Sequence, residues 1–288
     1  MHGERAGMHG EAAHQHGEAA HQQGETAHLH GEAEDMRGER EDMYGERAHV
    51  DGRVALVVGG TSGIGLAAAR QLRGRGATVH VVGRSEKRLA AVAVSDPELV
   101  GHRADGGSRE EIAAVLAKVG RIDWLVVALS GAEGAGAFAE LDLDALRGAF
   151  DAKFWGQLTT VQAALPHLAE DASITLVTAI TARTGMAGTA GLAAVNGALE
   201  AVVRPLAVEL APRRVNAVSP GLVDTPWWDG LPKDAREAYF AQAAAQLPVR
   251  RIATAADVAE VVALVAANPN LTGTVLEADG GLRLVTLA

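Results

Sequence analysis

The sequence predicts an α/β protein with a doubly wound parallel sheet of about seven strands and helices on both faces. From Arg53 onward, short apolar runs alternate with stretches of helical spacing. The runs are apolar throughout, which is typical of strands buried on both faces. Glycines follow the first run directly, where the chain of such a sheet turns from strand to helix. Right-handed crossovers then leave ligand sites at the carboxyl ends of the strands.

The predicted elements run in order from the first apolar run to the C-terminus. Strands are predicted over residues 54–58, 77–83, a short stretch before Asp105, 122–130, 173–181, 214–219 and 272–281. Helices are predicted after the first strand through Arg75, over SEKRLAAVAV and EEIAAVLAKVG, from about 142 to 169, and from about 189 to 211. One domain over residues 51–288 is large enough to contain them all.

The first fifty residues differ from the rest. A glycine followed by glutamate recurs every seven residues from Gly3 to Gly45, and eight of the eleven histidines lie here. A coiled coil needs two apolar positions per heptad, whereas these repeats hold at most one, and each glycine costs about 1 kcal/mol of helix stability. Residues 1–50 are therefore predicted to form a disordered low-complexity tail. Loose binding of transition metals by its histidines stays open, but nothing fixes a metal geometry.

Charge and composition argue against several functions. The formal net charge of −10 does not suit a nucleic-acid partner, because phosphate binding needs a positive surface. The absence of cysteine excludes disulfides, thiolate metal sites and cysteine nucleophiles. No apolar run reaches the roughly 20 residues of a membrane-spanning helix, and the polar N-terminus is not a signal peptide. A cytoplasmic protein that acts on a small molecule is predicted.

The stretch VVGGTSGIGLAAAR predicts a dinucleotide-binding turn between the first strand and its helix. Glycines let the backbone turn tightly and approach a pyrophosphate, whose charge is favoured by the helix N-terminus. Two hydroxyl residues in the turn add donors and are candidate caps of the helix. A turn that binds no ligand is the alternative. The candidate cofactor residues here are Gly59, Thr61, Ser62, Gly63, Ile64 and Gly65.

Arg84 and Ser85 follow the second strand, in VVGRSEKRL. A site specific for NAD usually places an acidic residue there for the ribose hydroxyls. A cation and a hydroxyl suit the 2′-phosphate instead, which predicts NADP in preference to NAD. Arg84 as a plain surface cation is the alternative.

From about Asp51 to the C-terminus, the chain resembles the short-chain dehydrogenase/reductase family, whose fold is Rossmann-like. GGTSGIG is similar to its cofactor turn, VNAVSPGLVDTP to the strand and loop beside the nicotinamide, and EADGGLRL to its C-terminal signature. The resemblance implies an adenine contact from Asp105. It adds further cofactor candidates at Ala128, Pro220, Gly221, Val223 and Thr225.

The catalytic residues of that family do not carry over. The asparagine of its mid-helix motif falls on Lys153, its serine near Ala179, and its YxxxK tyrosine and lysine on Leu192 and Asn196. In the family the tyrosine exchanges a proton with the substrate oxygen, and a nearby ammonium lowers its pKa from about 10. Leucine has no such proton and asparagine no charge, so this mechanism cannot run here.

The exchange of asparagine and lysine between two helices predicts a different proton-transfer centre. Lys153 could polarise a carbonyl, or donate a proton if burial lowered its pKa; snorkelling to solvent is the alternative. Thr178 or Thr181 could hold a substrate oxygen, or be an ordinary strand residue. The candidate catalytic residues are Lys153, Thr181 and Asn196. Trp227 and Trp228 are candidates for an aromatic wall over the pocket or for packing a lid against the domain, and Tyr239, in a segment that resembles the family's substrate lid, is a candidate stand-in acid.

The first hypothesis is an NADP-linked oxidoreductase for a small carbonyl or alcohol with altered proton-transfer residues. Two alternatives stay open: a non-redox enzyme that reuses the pocket, and an NADP(H)-binding regulatory protein without catalysis. The resemblance also implies a homodimer or homotetramer formed through the helices at 142–169 and 189–211. Pro205 is predicted to kink the second of these or to interrupt its hydrogen bonding.

Overall fold

A computed structural model of the protein describes residues 52–131 and 133–285, and the predicted tail lies outside the described residues. Seven parallel strands form one sheet in the order β3-β2-β1-β4-β5-β6-β9, and β7 pairs with β8 beside it. The strands are β1 (Val54–Val58), β2 (Thr78–Gly83), β3 (Val100–Arg103), β4 (Ile122–Val127), β5 (Leu168–Val177), β6 (Arg214–Pro220), β7 (Val223–Asp224), β8 (Ala253–Thr254) and β9 (Val275–Ala278).

Helices cover both faces of this sheet. They are α1 (Gly63–Gly74), α2 (Glu86–Ser95), α3 (Arg109–Val119), α4 (Leu143–Ala149), α5 (Gly156–Ala164), α6 (Ala190–Glu209), α7 (Lys233–Gln246) and α8 (Ala255–Ala267), with short 3₁₀ turns between several of them. Leu56 of β1 and Leu199 of α6 belong to the core on one face, and Val57 and Val262 of α8 belong to the core on the other; all four are fully buried. Neighbouring strand residues thus enter opposite cores, which is why the strands read as continuous apolar runs.

The strand order places a cleft at the middle of the sheet. β1 pairs with β2 on one side and with β4 on the other, so the direction of winding reverses between β1 and β4. Loops leaving two such strands diverge to opposite faces and open a crevice at their carboxyl ends. The predicted doubly wound fold is confirmed, and the crevice fixes where the candidate site lies.

The long helix predicted from about 142 to 169 is wrong as a single element. A π-helical segment, Phe150–Trp155, separates α4 from α5, and Lys153 is its buried residue. A π turn holds one extra residue and rotates the side chains that follow, and such turns are frequent at functional sites. Pro166 lies in the 3₁₀ turn Leu165–His167 that ends the helical stretch.

The fifth strand also differs from its prediction. β5 starts at Leu168 and ends at Val177, and Ile180–Arg183 form a 3₁₀ turn instead of a strand end. The β-branched pattern TAIT suggested a longer strand. Arg183 at the end of this turn donates to the carboxylate of Glu200, with an Nε–Oε2 distance of 2.8 Å.

Two features of helix α6 bear on what the sequence predicts. The helix is continuous through Pro205, which has no amide proton and so interrupts the hydrogen bonding at that position. It also has the length and mean hydropathy of a membrane span, although its sequence contains no unbroken apolar run of that length. Core helices meet the same criterion, and α6 buries Val195, Leu199 and Val203 against the sheet, so this property is weak support for a membrane location.

Candidate active site

Two adjoining cavities of about 540 and 500 Å³ occupy the crevice. They share Gly59, Ser62 and Ala128 in their walls, so they form one groove. Every site residue proposed from the sequence lines it. The first cavity is lined by Thr61, Arg84, Ser85 and Asp105. The second is lined by Gly63, Ile64, Gly65, Lys153, Thr181, Asn196, Pro220, Gly221, Val223 and Thr225.

The β1–α1 turn is shaped by close backbone contacts. A Cβ atom on Gly65 would lie 2.1 Å from the carbonyl oxygen of Gly59, and one on Gly59 would lie 2.6 Å from that of Ala128. Gly59 also has a φ of +83°, a conformation that side chains disfavour. The turn therefore leaves a cradle with no side chain in it, which fits a pyrophosphate at the N-terminus of α1.

Ser62 occupies the N-cap position of α1 but does not cap it. Its backbone is extended, and its side chain makes no capping hydrogen bond, so the expected cap is wrong at this residue. Without that bond, no side chain of the N-cap competes for the first amide groups of the helix. This arrangement suits an anionic ligand at the same place.

A basic cluster stands at the far end of the first cavity. The Arg84 guanidinium lies 3.8 Å from the carboxylate of Asp105 and is largely exposed. Ser85 caps α2 by accepting a hydrogen bond from the amide of Arg88, and its hydroxyl proton stays free to donate. Arg88 lines both cavities, and its Nη1 lies 3.5 Å from Ser62 Oγ. Arg88 was not among the residues predicted from the sequence; it lies in the first turn of α2, and it lines the first cavity together with Arg84.

Lys153 is buried in the second cavity, which rules out the snorkelling alternative. Its side chain is 9% exposed, and its Nζ donates to the carbonyl oxygen of Thr178 at 3.3 Å. Burial lowers the pKa of this amine to about 8, against an opposing effect of the charge on Glu200. The amine is therefore mostly protonated at neutral pH and able to release its proton close to that pH.

Asn196 and Thr181 form a hydrogen-bonded pair in the same cavity. Asn196 Nδ2 donates to the Leu192 carbonyl at 2.8 Å and to Thr181 Oγ1 at 3.1 Å. The carbonyl only accepts, which fixes the orientation of the amide. Asn196 Oδ1 is buried and has no protein partner among the described residues. A hydroxyl group of a bound ligand would satisfy it.

Thr178 is less suited to hold a substrate than Thr181. It is 2% exposed, and its hydroxyl donates to Glu200 Oε1 at 3.1 Å. Glu200 was missed by the sequence analysis, although a carboxylate one helical turn after Asn196, in an otherwise apolar stretch, is a signal for a buried partner.

Aromatic residues of the segment from the 3₁₀ turn Pro226–Trp228 to the end of α7, called the lid segment below, line one side of the second cavity. Trp227 and Trp228 lie in the 3₁₀ turn after β7, with ring centroids 4.7 Å apart, and Trp228 packs on Tyr239 of α7 at 5.4 Å. Trp227 Nε1 donates across the groove to the carbonyl of Gly131 at 3.3 Å. Burial raises the pKa of Tyr239, so its phenol keeps its proton near neutrality.

The chain is similar to known dehydrogenases and reductases. The sequence model of a family described as enoyl-(acyl carrier protein) reductase matches residues 58–283. Cis-4-hydroxycyclohexanecarboxylate dehydrogenase of Sinomonas cyclohexanicum is 35% identical over 248 residues, which cover 81% of this chain and 97% of the relative. Carbonyl reductase family member 4 of Danio rerio is 30% identical, with 81% and 99% covered. A solved structure of a small-chain dehydrogenase in complex with NADPH is 33% identical, with a TM-score of 0.70, and matches 82% of this chain and 100% of that one.

Proposed function

This chain belongs to the short-chain dehydrogenase/reductase family and is an oxidoreductase of that type. We propose that it moves a hydride between NADP(H) and a small carbonyl or alcohol through a rearranged proton-transfer centre. The observation that carries the proposal is the buried amine of Lys153, which lies in the same cavity as Leu192 and Asn196. In the proposed centre these two residues replace the tyrosine and lysine of the family.

The chain offers matching groups for each part of NADP(H). The glycine cradle at the β1–α1 turn would hold the pyrophosphate, and Asp105 would contact the adenine. Arg84, Ser85 and Arg88 would bind the 2′-phosphate with two cations and a hydroxyl. The NADPH in the similar solved structure supports the same preference.

Lys153 is the proposed proton donor in the direction of reduction. Its amine has a pKa of about 8, and a general acid is most effective when its pKa lies near the working pH. NADPH, when bound, supplies a hydride to the carbonyl carbon. The Nζ proton of Lys153 passes to the carbonyl oxygen, which becomes the alcohol hydroxyl, and the amine takes a proton back from solvent.

Thr181 is the proposed orienting group for the substrate oxygen. Its Oγ1 already accepts a hydrogen bond from Asn196, so its own proton points away from the amide and can donate to the substrate. Asn196 would act on the substrate through Thr181, and its Oδ1, which has no partner within the described part of the chain, would accept from a ligand hydroxyl.

The test compares Lys153→Met with Lys118→Met, which changes an exposed lysine of α3. NADPH consumption is followed with a panel of small cyclic and aliphatic ketones, and NADPH binding is measured by calorimetry. We expect Lys153→Met to lose about 100-fold or more in turnover with little change in NADPH affinity. Wild-type turnover in Lys153→Met would contradict the acid role.

The same measurements on the unaltered protein separate the alternatives. Conversion of a substrate without net NADPH oxidation would favour a non-redox enzyme. Tight NADPH binding without turnover of any ketone in the panel would favour a regulatory protein.

We further propose that the chain forms a homodimer or homotetramer. Leu143 of α4, Trp155 of the π segment and Val208 of α6 are 56%, 55% and 80% exposed, which is unusual for large apolar side chains on neighbouring helices. Light scattering during gel filtration tests this, and a monomer at micromolar concentration would contradict it.

A further inference from the structure

Glu200 of α6 connects the buried end of the second cavity to a series of ion pairs. Its side chain is 10% exposed, and its carboxylate accepts three hydrogen bonds. Thr178 Oγ1 and Ser219 Oγ donate to Oε1 at 3.1 and 2.8 Å, and Arg183 Nε donates to Oε2 at 2.8 Å. The carboxylate therefore joins the ends of β5 and β6 to α6 and to the 3₁₀ turn that carries Arg183.

Lys153 and Glu200 hold the same residue from two sides. Lys153 Nζ donates to the backbone carbonyl of Thr178 at 3.3 Å, while Glu200 accepts from the hydroxyl of Thr178. The amine and the carboxylate make no direct ion pair within 4.0 Å among the described residues. Glu200 still bears on the amine, because its charge opposes the lowering of the Lys153 pKa that burial causes.

Arg183 limits how strongly Glu200 acts. It binds the second carboxylate oxygen and reaches on to Glu277, with an Nη1–Oε1 distance of 2.5 Å. Glu277 in turn pairs with Arg283 at 3.2 Å. The carboxylate of Glu200 thus attracts two cations: Arg183, which it contacts, and Lys153, which lies farther away.

We propose that Glu200 is the positioning residue of the proton-transfer centre: it fixes Thr178, whose carbonyl holds the Lys153 amine, and it supplies the negative charge that keeps this buried amine protonated. The inference deepens the proposed function and rests on it for the catalytic meaning of Lys153. The charged groups of this series are Glu200 from α6, Arg183 from the 3₁₀ turn and Glu277 from β9. Of these, Glu200 acts on the charge of the amine.

The experiment titrates Lys153 directly, without need of a substrate. The chain has four lysines, Lys87, Lys118, Lys153 and Lys233, so lysine labelled with ¹³C and ¹⁵N in the full-length protein gives four sets of side-chain resonances. Loss of one set in Lys153→Met assigns it. The midpoint of the Lys153 titration is then measured in Glu200→Gln, in Arg183→Gln and in Glu209→Gln, which removes an exposed carboxylate from the end of the same helix.

Two shifts of opposite sign are expected. Glu200→Gln keeps the shape of the side chain but removes its charge, so the Lys153 midpoint falls by about one pH unit. Arg183→Gln removes the competing cation, so the midpoint rises, and Glu209→Gln leaves it in place. An unmoved midpoint in Glu200→Gln would overturn the inference. If Glu200→Gln does not fold, the test rests on Arg183→Gln. A Lys153 midpoint that is unchanged or lowered in Arg183→Gln would then overturn the inference.

The turnover of the same variants separates this inference from the proposed function. If both hold, the falling limb of the pH profile of ketone reduction moves with the NMR midpoint. If Lys153→Met keeps wild-type turnover while the NMR midpoint moves as expected, the acid role fails and the assignment of Glu200 stands. If turnover depends on Lys153 but the Lys153 midpoint does not move in Glu200→Gln, the acid role stands and the assignment of Glu200 fails.

Discussion

The two ends of the groove differ in what shapes them. At the β1–α1 turn, the wall consists of backbone that packs so closely that single Cβ atoms would collide, as at Gly59 and Gly65. Around α6, side chains that hydrogen-bond to one another shape the wall, as Asn196 and Thr181 do. A close backbone approach accepts few substitutions, whereas a hydrogen-bonded set can be rebuilt when several members change together.

This difference accounts for the mixture of familiar and unfamiliar residues in the chain. The turn that resembles the family offers few other solutions for a backbone that must approach a phosphate. The proposed reaction centre keeps an amine and an amide, but on exchanged helices. What the two ends share is the crevice, which the strand order creates whatever residues line it.

The largest expected effect is the loss of the cradle in Gly65→Ala. The new Cβ would lie 2.1 Å from a backbone oxygen, so the turn must move, and we expect NADPH affinity to fall by about 100-fold or more. Calorimetric titration measures it. Gly74→Ala is the control, because it changes the same helix where nothing lies within 4 Å. Equal NADPH affinity in both variants would show that the turn does not hold the cofactor.

The next effect concerns the choice of cofactor. In the double variant Arg84→Ala and Arg88→Ala, two cations that line the first cavity are lost, and NADPH affinity should fall by about 30-fold. NADH affinity should stay within about twofold, because NADH lacks the 2′-phosphate. Arg103→Ala serves as the control, since this exposed residue pairs with Glu86 and does not line the groove. A parallel loss of NADH affinity would indicate a structural effect instead.

At the other end of the groove, Lys153→Met should stabilise the fold at neutral pH. The pKa of Lys153 is lowered from 10.5 to about 8, so between these values the unfolded chain binds more protons and stability rises with pH. Below about pH 8 the full cost of a buried charge is present. Methionine removes it, by about 2 kcal/mol or roughly 5 °C in Tm.

Thermal unfolding at several pH values checks this expectation. The advantage of Lys153→Met should be constant below about pH 8 and shrink as the pH rises toward 10.5. Lys118→Met should show no such dependence. A destabilised Lys153→Met at pH 7 would mean that the hydrogen bond to Thr178 outweighs the desolvation of the charge.

The contrast between the two ends also explains which features the sequence could predict. The sheet was predictable because uniformly apolar strands and a glycine turn after the first of them fit few other folds. The cradle was predictable for the same reason, since its function depends on missing side chains. All candidate site residues line the groove, while their roles stay predictions.

Features that depend on distant contacts were not predictable. The π segment at Phe150–Trp155 has no sequence pattern of its own, yet it accompanies the burial of Lys153. The 3₁₀ turn after β5 carries Arg183, which bonds Glu200, 17 residues away along the chain. Local sequence propensity contains no information on either feature. The helix predicted over 142–169 was therefore too long, and the strand predicted over 173–181 was misplaced.

The smallest expected effect tests whether the two ends are mechanically linked. Trp227 belongs to the lid segment beside the reaction end, but its Nε1 bonds the carbonyl of Gly131 across the groove at 3.3 Å. Trp227→Phe keeps an aromatic ring and removes that bond. NADPH release should accelerate by about threefold, which corresponds to the free energy of one long and partly exposed hydrogen bond. Energy transfer from tryptophan to NADPH in a stopped-flow experiment measures the rate. Trp228→Phe is the matched control, because its Nε1 bonds the carbonyl of Val223, only five residues earlier in the chain. Equal acceleration in both variants would assign the effect to aromatic packing of the lid, whereas acceleration in Trp227→Phe alone would show that a bond across the groove retains the cofactor.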